Sequence, residues 1–123
     1  MVKLLFLFIT GAFGYSIIEI LWRGYTHWTM FVLGGICFCL LYAAFSRLES
    51  TPLLIKAIIG GGIITAAEFL TGCIINLYLK WNVWDYTASP FNLLGQICLP
   101  YSILWIMLSI PVVYLCKLLG KYI

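Results

Sequence analysis

Three acids, Glu19, Glu68 and Asp85, stand within or beside long apolar runs, and two bases, Arg23 and His27, follow the first of them at intervals of four residues. A charged side chain in such surroundings costs at least ~2.5 kcal/mol on membrane-insertion scales. Its presence therefore points to one of three roles, which are pairing with an opposite charge, exchanging a proton, or holding a cation. Glu19 and Arg23 share one helical face and can pair. Their bland reading is an interfacial anchor, and His27 reads as an interface residue. Glu68 belongs to a stripe of Gly61, Thr65, Glu68, Gly72 and Asn76, spaced 4, 3, 4 and 4. That spacing gathers them on one face of a helix. Small residues there admit a neighbouring helix, so Glu68 and Asn76 are expected to point into a bundle and not into lipid. Asn92 and Gln96, one turn apart, present two amides that would cap a helix or line the same space. Trp84, Asp85 and Tyr86 set an acid between two aromatic rings.

Such a set suits a small solute better than covalent chemistry. Glu19 and Glu68 would supply negative charge, and Trp22, Trp84 and Tyr86 would pack against a cation. The candidate ligand-binding residues are Glu19, Arg23, His27, Glu68, Asn76, Trp84, Asp85, Tyr86, Asn92 and Gln96. No Ser/His/Asp set, cofactor fingerprint or metal-ligand spacing occurs, so no catalytic residues, cofactor or metal are expected. The enzyme alternative would use Glu19 or Glu68 as a base on a lipid-linked substrate, with His27 or Arg23 stabilising charge. A third reading is an accessory subunit, with Gly11-x-x-Gly14, Gly34-Gly35 and Gly60-Gly61-Gly62 as docking surfaces.

The elements that must position these residues follow from composition. Of 123 residues, 64% are hydrophobic and 9% charged, with a net charge of +3. A soluble domain carries about 25% charged residues, and a chain this small cannot hide so much apolar surface in a core. The expected fold is all-α, an integral-membrane four-helix bundle forming one domain over residues 1–123. Its spans run over about 2–22, 28–45, 53–79 and 91–119, with kinks at Pro100 and Pro111. The first span lacks a small-residue cleavage site and reads as a span, not a signal peptide.

Lys3, Arg47, Lys56, Lys117 and Lys121 then fall on one side, and Arg23 and Lys80 on the other. This bias predicts that both termini are cytoplasmic. Glu19, Arg23, His27, Glu68, Asn76, Asp85, Asn92 and Gln96 would all occupy the outer half, in one outward-facing polar pocket rimmed by aromatics. Trp81, Trp84 and Tyr86 would join the interfacial aromatic belt. Cys37, Cys39, Cys73, Cys98 and Cys116 all fall inside the expected spans as buried small hydrophobes. Nothing supports nucleic-acid binding.

Several runs also resemble a known family. Gly24-Tyr25-Thr26-His27-Trp28-Thr29-Met30, Gly34-Gly35, Glu68, Gly72, Asn76, Val83-Trp84-Asp85-Tyr86, Pro90-Phe91-Asn92 and Gly95-Gln96-Ile97-Cys98 are similar to those of the bacterial proteins described as Putative ABC-transporter type IV, or CmpB-like permeases. The likeness spans nearly the whole chain. The second helix, MFVLGGICFCLLY, lacks the Pro-Ile-Tyr-Gly pattern of some members. The resemblance implies a multi-pass protein of the bacterial inner (plasma) membrane and a permease role. The chain has no G-x-x-x-x-G-K-[ST] loop, so an ATPase would act in trans. It would have only the short loop Ser46 to Pro52 to push on. Four helices enclose no wide pathway alone, so membrane lipid and a homo-oligomer are the expected partners, besides the solute.

Overall fold

Apolar runs of about twenty residues leave the backbone no polar partner in lipid except itself, and runs of this kind coil into helices. The computed structural model describes residues 2–24 and 26–122, apart from the side chains of Arg23 and Tyr122. Helix α1 spans Val2–Arg23, α2 Trp28–Arg47, α3 Leu53–Gly72 and α4 Leu99–Tyr122. All four are long and apolar enough to cross a membrane.

Helix α1 pairs chiefly with α2, and α3 with α4, while α2 also packs on α3. Half of the α2 span is buried, against 22% for α1 and for α4, so α2 is the inner helix. One core cluster, with Phe38, Leu41, Phe45, Trp105 and Val113, joins α2 to α4. A second joins Met30, Leu33 and Cys37 to Ile75 and Trp84. Large apolar side chains such as Phe13, Leu21 and Leu70 face outward, the surface a lipid-embedded bundle presents. Close approach of α3 and α4 needs Gly61, where a Cβ would collide with Ile106.

The helix ends follow local chemistry. Gly24 takes φ +83° after α1, a left-handed stop that glycine adopts without strain. The His27 ring caps α2 by accepting from the Thr29 N–H at 3.2 Å. Pro52 precedes α3. Beyond Gly72 the α3 coil widens into a π segment, Cys73–Tyr78, and ends as Lys80 turns left-handed.

Helix α4 begins at Leu99, not near Phe91. Asn92 and Gln96 form no helical pair. Asn92 instead serves a tight loop: its amide donates to the Ser89 oxygen at 2.9 Å and accepts from the Gly95 N–H at 3.1 Å. Leu94 and Gly95 both have positive φ, and the Gln96 N–H returns to the Leu93 oxygen at 3.1 Å. This reverses the chain so that β1 (Asn92–Leu93) pairs antiparallel with β2 (Ile97–Cys98). Cys98 therefore lies in β2 and not in a span. Pro100 falls in the first turn of α4, where a missing N–H is harmless. Pro111 lies inside α4, which continues through it to Tyr122.

Candidate functional site: an aromatic, acidic cavity

The loop between α3 and α4 is held by side-chain amides. The Asn76 amide donates to Gln96 Oε1 at 2.9 Å, and Asn76 Oδ1 accepts from the Val83 N–H at 2.7 Å. Gln96 Nε2 donates to the Leu94 oxygen at 2.9 Å, and the Trp84 indole N–H donates to the Gln96 oxygen at 3.0 Å. The Asn76, Gln96 and Trp84 side chains are buried, which raises the cost of breaking their bonds. The assembly rests on Gly72, where a Cβ would lie 2.6 Å from Gln96 Oε1 and 3.0 Å from the Trp84 ring.

This loop, α1 and α4 border an open-sided cavity of about 420 Å³. Glu19 and Trp22 line it from α1, Trp84, Asp85 and Tyr86 from the loop, and Tyr101 and Trp105 from α4. Tyr86 stacks on Tyr101, with centroids 4.9 Å apart and planes 24° from parallel. The Trp22 indole donates to the Tyr101 hydroxyl at 3.2 Å, tying α1 to α4 across the cavity. The Tyr86 hydroxyl reaches past the cavity wall and donates to Glu68 Oε2 over a long 3.4 Å. Burial first, and then the Glu68 carboxylate, push the Tyr86 phenol well above its ordinary range. It stays a neutral donor at any physiological pH. The Trp105 indole N–H is buried with no partner among the described residues. Trp105 also lines a second, apolar cavity of about 160 Å³ between α1, α2 and α4.

Of the ten residues proposed from sequence, Glu19, Trp84, Asp85 and Tyr86 meet around this cavity. Glu68, 2% exposed, lies behind Tyr86. Asn76, Gln96 and Asn92 brace the loop with the bonds described. His27 stands apart from the cavity wall: it caps α2, and its ring lies 5.8 Å from Trp28 and 6.3 Å from Trp81. The Arg23 side chain lies outside the described residues. Sequence reasoning misses Tyr101 and Trp105. Their i, i+4 spacing just after Gln96 places both on one face of α4, and that was the available signal. The cavity offers two carboxylates and stacked rings. Among the described residues no three His, Cys, Asp or Glu side chains gather to hold a metal ion.

Residues 4–122 match the family model described as Putative ABC-transporter type IV. No curated protein and no solved structure matches the chain.

Proposed function

Because this chain belongs to the Putative ABC-transporter type IV family and has four helices long and apolar enough to cross a membrane, we propose that it is a multi-pass membrane protein that binds a small organic cation and serves its transport. The observation that carries this reading is the single cavity lined by Glu19, Asp85 and five aromatic rings, Trp22, Trp84, Tyr86, Tyr101 and Trp105. A carboxylate neutralises an ammonium, and ring faces attract it by about 0.5–2 kcal/mol each, the more so where water is scarce. Both devices favour a compact alkylated or protonated amine over an anion.

The lysine-rich end of the bundle sits in the cytoplasm in this reading, and the cavity faces outward across the inner membrane. A homo-oligomer completes the path that one four-helix chain does not enclose. The link from α2 to α3, residues 48–52, offers an ATPase in trans little to grip.

Tetraethylammonium is the first probe. Titrated into purified protein, it should quench tryptophan emission saturably. Glu19→Gln and Tyr101→Ala should each weaken that binding about tenfold, equivalent to about 1.4 kcal/mol. Absence of saturable quenching, or binding untouched by both substitutions, would sink the reading. A co-purifying membrane protein lost in the same variants would favour an accessory subunit instead.

A further inference from the structure

The opposite end of the bundle holds a second polar cavity, of about 500 Å³, where α2 ends, α3 begins and α4 ends. Lys56, Lys117 and Lys121 line it against a single acid, Glu49, which leaves an excess of two positive charges, three against one. Lys56 is the informative residue. It is 3% exposed, and its one polar partner among the described residues is the Glu49 backbone oxygen at 3.3 Å. An ammonium has three donors. A charge bias that only sets orientation needs lysines near the membrane ends and has no need to bury one between helices. Burying an ammonium against a neutral carbonyl is costly unless an anion completes its shell.

The remaining surroundings specify that anion. Lys117 and Lys121 are exposed at the rim, and the Lys117 ammonium rests 5.5 Å from the Tyr114 ring. A fourth cation, Lys3, lies 5.0 Å over the ring of Tyr42, which lines the same cavity. The Ser46 hydroxyl spends its one proton on the Tyr42 backbone oxygen at 2.7 Å, so the lysines are the donors. Several ammonium groups around one space match a group with several acceptor oxygens and more than one lone charge, as phosphate has. The other walls are apolar, with Phe45, Val113 and Cys116. A phosphate that carries a hydrocarbon tail fits both parts, and basic recesses between membrane helices are suited to acidic headgroups.

We propose that this cavity is a phosphate-binding site for the headgroup of an anionic phospholipid, with Lys56 as the buried contact and Lys117 and Lys121 as the rim. It is independent of the cation cavity at the other end.

Native mass spectrometry tests it on the full chain, exchanged into phosphatidylglycerol or into phosphatidylcholine. Wild type should retain phosphatidylglycerol at least about tenfold better than phosphatidylcholine. Lys56→Gln should remove that preference and Lys56→Arg should keep it. The double variant Lys117→Gln/Lys121→Gln, altered only at exposed positions, should weaken it several-fold even if Lys56→Gln does not fold. Lys80→Gln, at the far end, should leave it unchanged. Inorganic phosphate binding with the same lysine dependence, but no lipid preference, would overturn the lipid source and assign the site to a free phosphate. Equal retention of both lipids with no phosphate binding, or equal losses in Lys80→Gln and the double variant, would overturn the site itself.

Discussion

Tyr86 joins the two acids that most distinguish this chain. Its ring lines the cavity beside Glu19, and its hydroxyl donates to Glu68. Removing that hydroxyl in Tyr86→Phe leaves the buried Glu68 carboxylate with one donor fewer, at a cost of about 1 kcal/mol, the ordinary value of a hydrogen bond. The pH dependence has a defined sign. The folded protein holds the phenol proton more tightly than the unfolded chain, because burial and Glu68 raise its pKa. The stability that Tyr86 contributes is therefore complete below the ordinary tyrosine value of about 10 and declines as pH climbs towards the raised one. Thermal unfolding between neutral and strongly alkaline pH should show a shallower alkaline decline in Tyr86→Phe than in wild type; parallel declines would refute the coupling. Glu19, Asp85, Trp84 and Tyr86 were legible because charges and paired rings are conspicuous in so apolar a chain. Tyr101 and Trp105 were not, since an aromatic inside a spanning run looks like any other core residue.

The α3–α4 connection is where an element departs from its sequence pattern. Asn92 and Gln96 stand one helical turn apart, which reads as a helix, yet Asn92 serves loop backbone and Gln96 joins the bonds that brace the loop. Amide side chains can replace the helix ladder with local bonds, and periodicity does not reveal which wins. The positive φ of Leu94 was likewise unreadable, because leucine rarely adopts it. By contrast Gly24 and Pro52 mark their helix boundaries openly. Gly72 is the seat of the loop, so Gly72→Val should lift Trp84 away at an overpacking cost of about 1–3 kcal/mol. Tryptophan emission should shift red and a protease should gain access to residues 79–98. Gly62→Ala, which meets nothing within 4 Å, should do neither. Resistance to protease in Gly72→Val equal to wild type would show that the loop is held by something other than this contact.

For the whole molecule, the four-helix membrane class was the most legible feature, because 64% hydrophobic content in 123 residues leaves few alternatives. The convergence of side chains was the least legible, since it depends on how each helix is rotated about its axis. The two cavities lie at opposite ends, one acidic and aromatic, one basic. Orientation in the membrane fixes which chemistry each compartment meets. With the termini in the cytoplasm, a membrane-impermeant amine reagent added to intact cells should label Lys80 and spare Lys121. Labelling of Lys121 alone would reverse the assignment and place the cation cavity inside.

Trp105 carries a further consequence. Its indole N–H is buried with no acceptor among the described residues, and a buried donor of that kind costs about 1–3 kcal/mol. An occupant whose oxygen reached that N–H would remove the cost, beyond whatever its charge and its contact with the rings contribute. Melting temperature would then sort ligands by their chemistry: among cations of equal size, those that also carry a carbonyl or ether oxygen should raise it most.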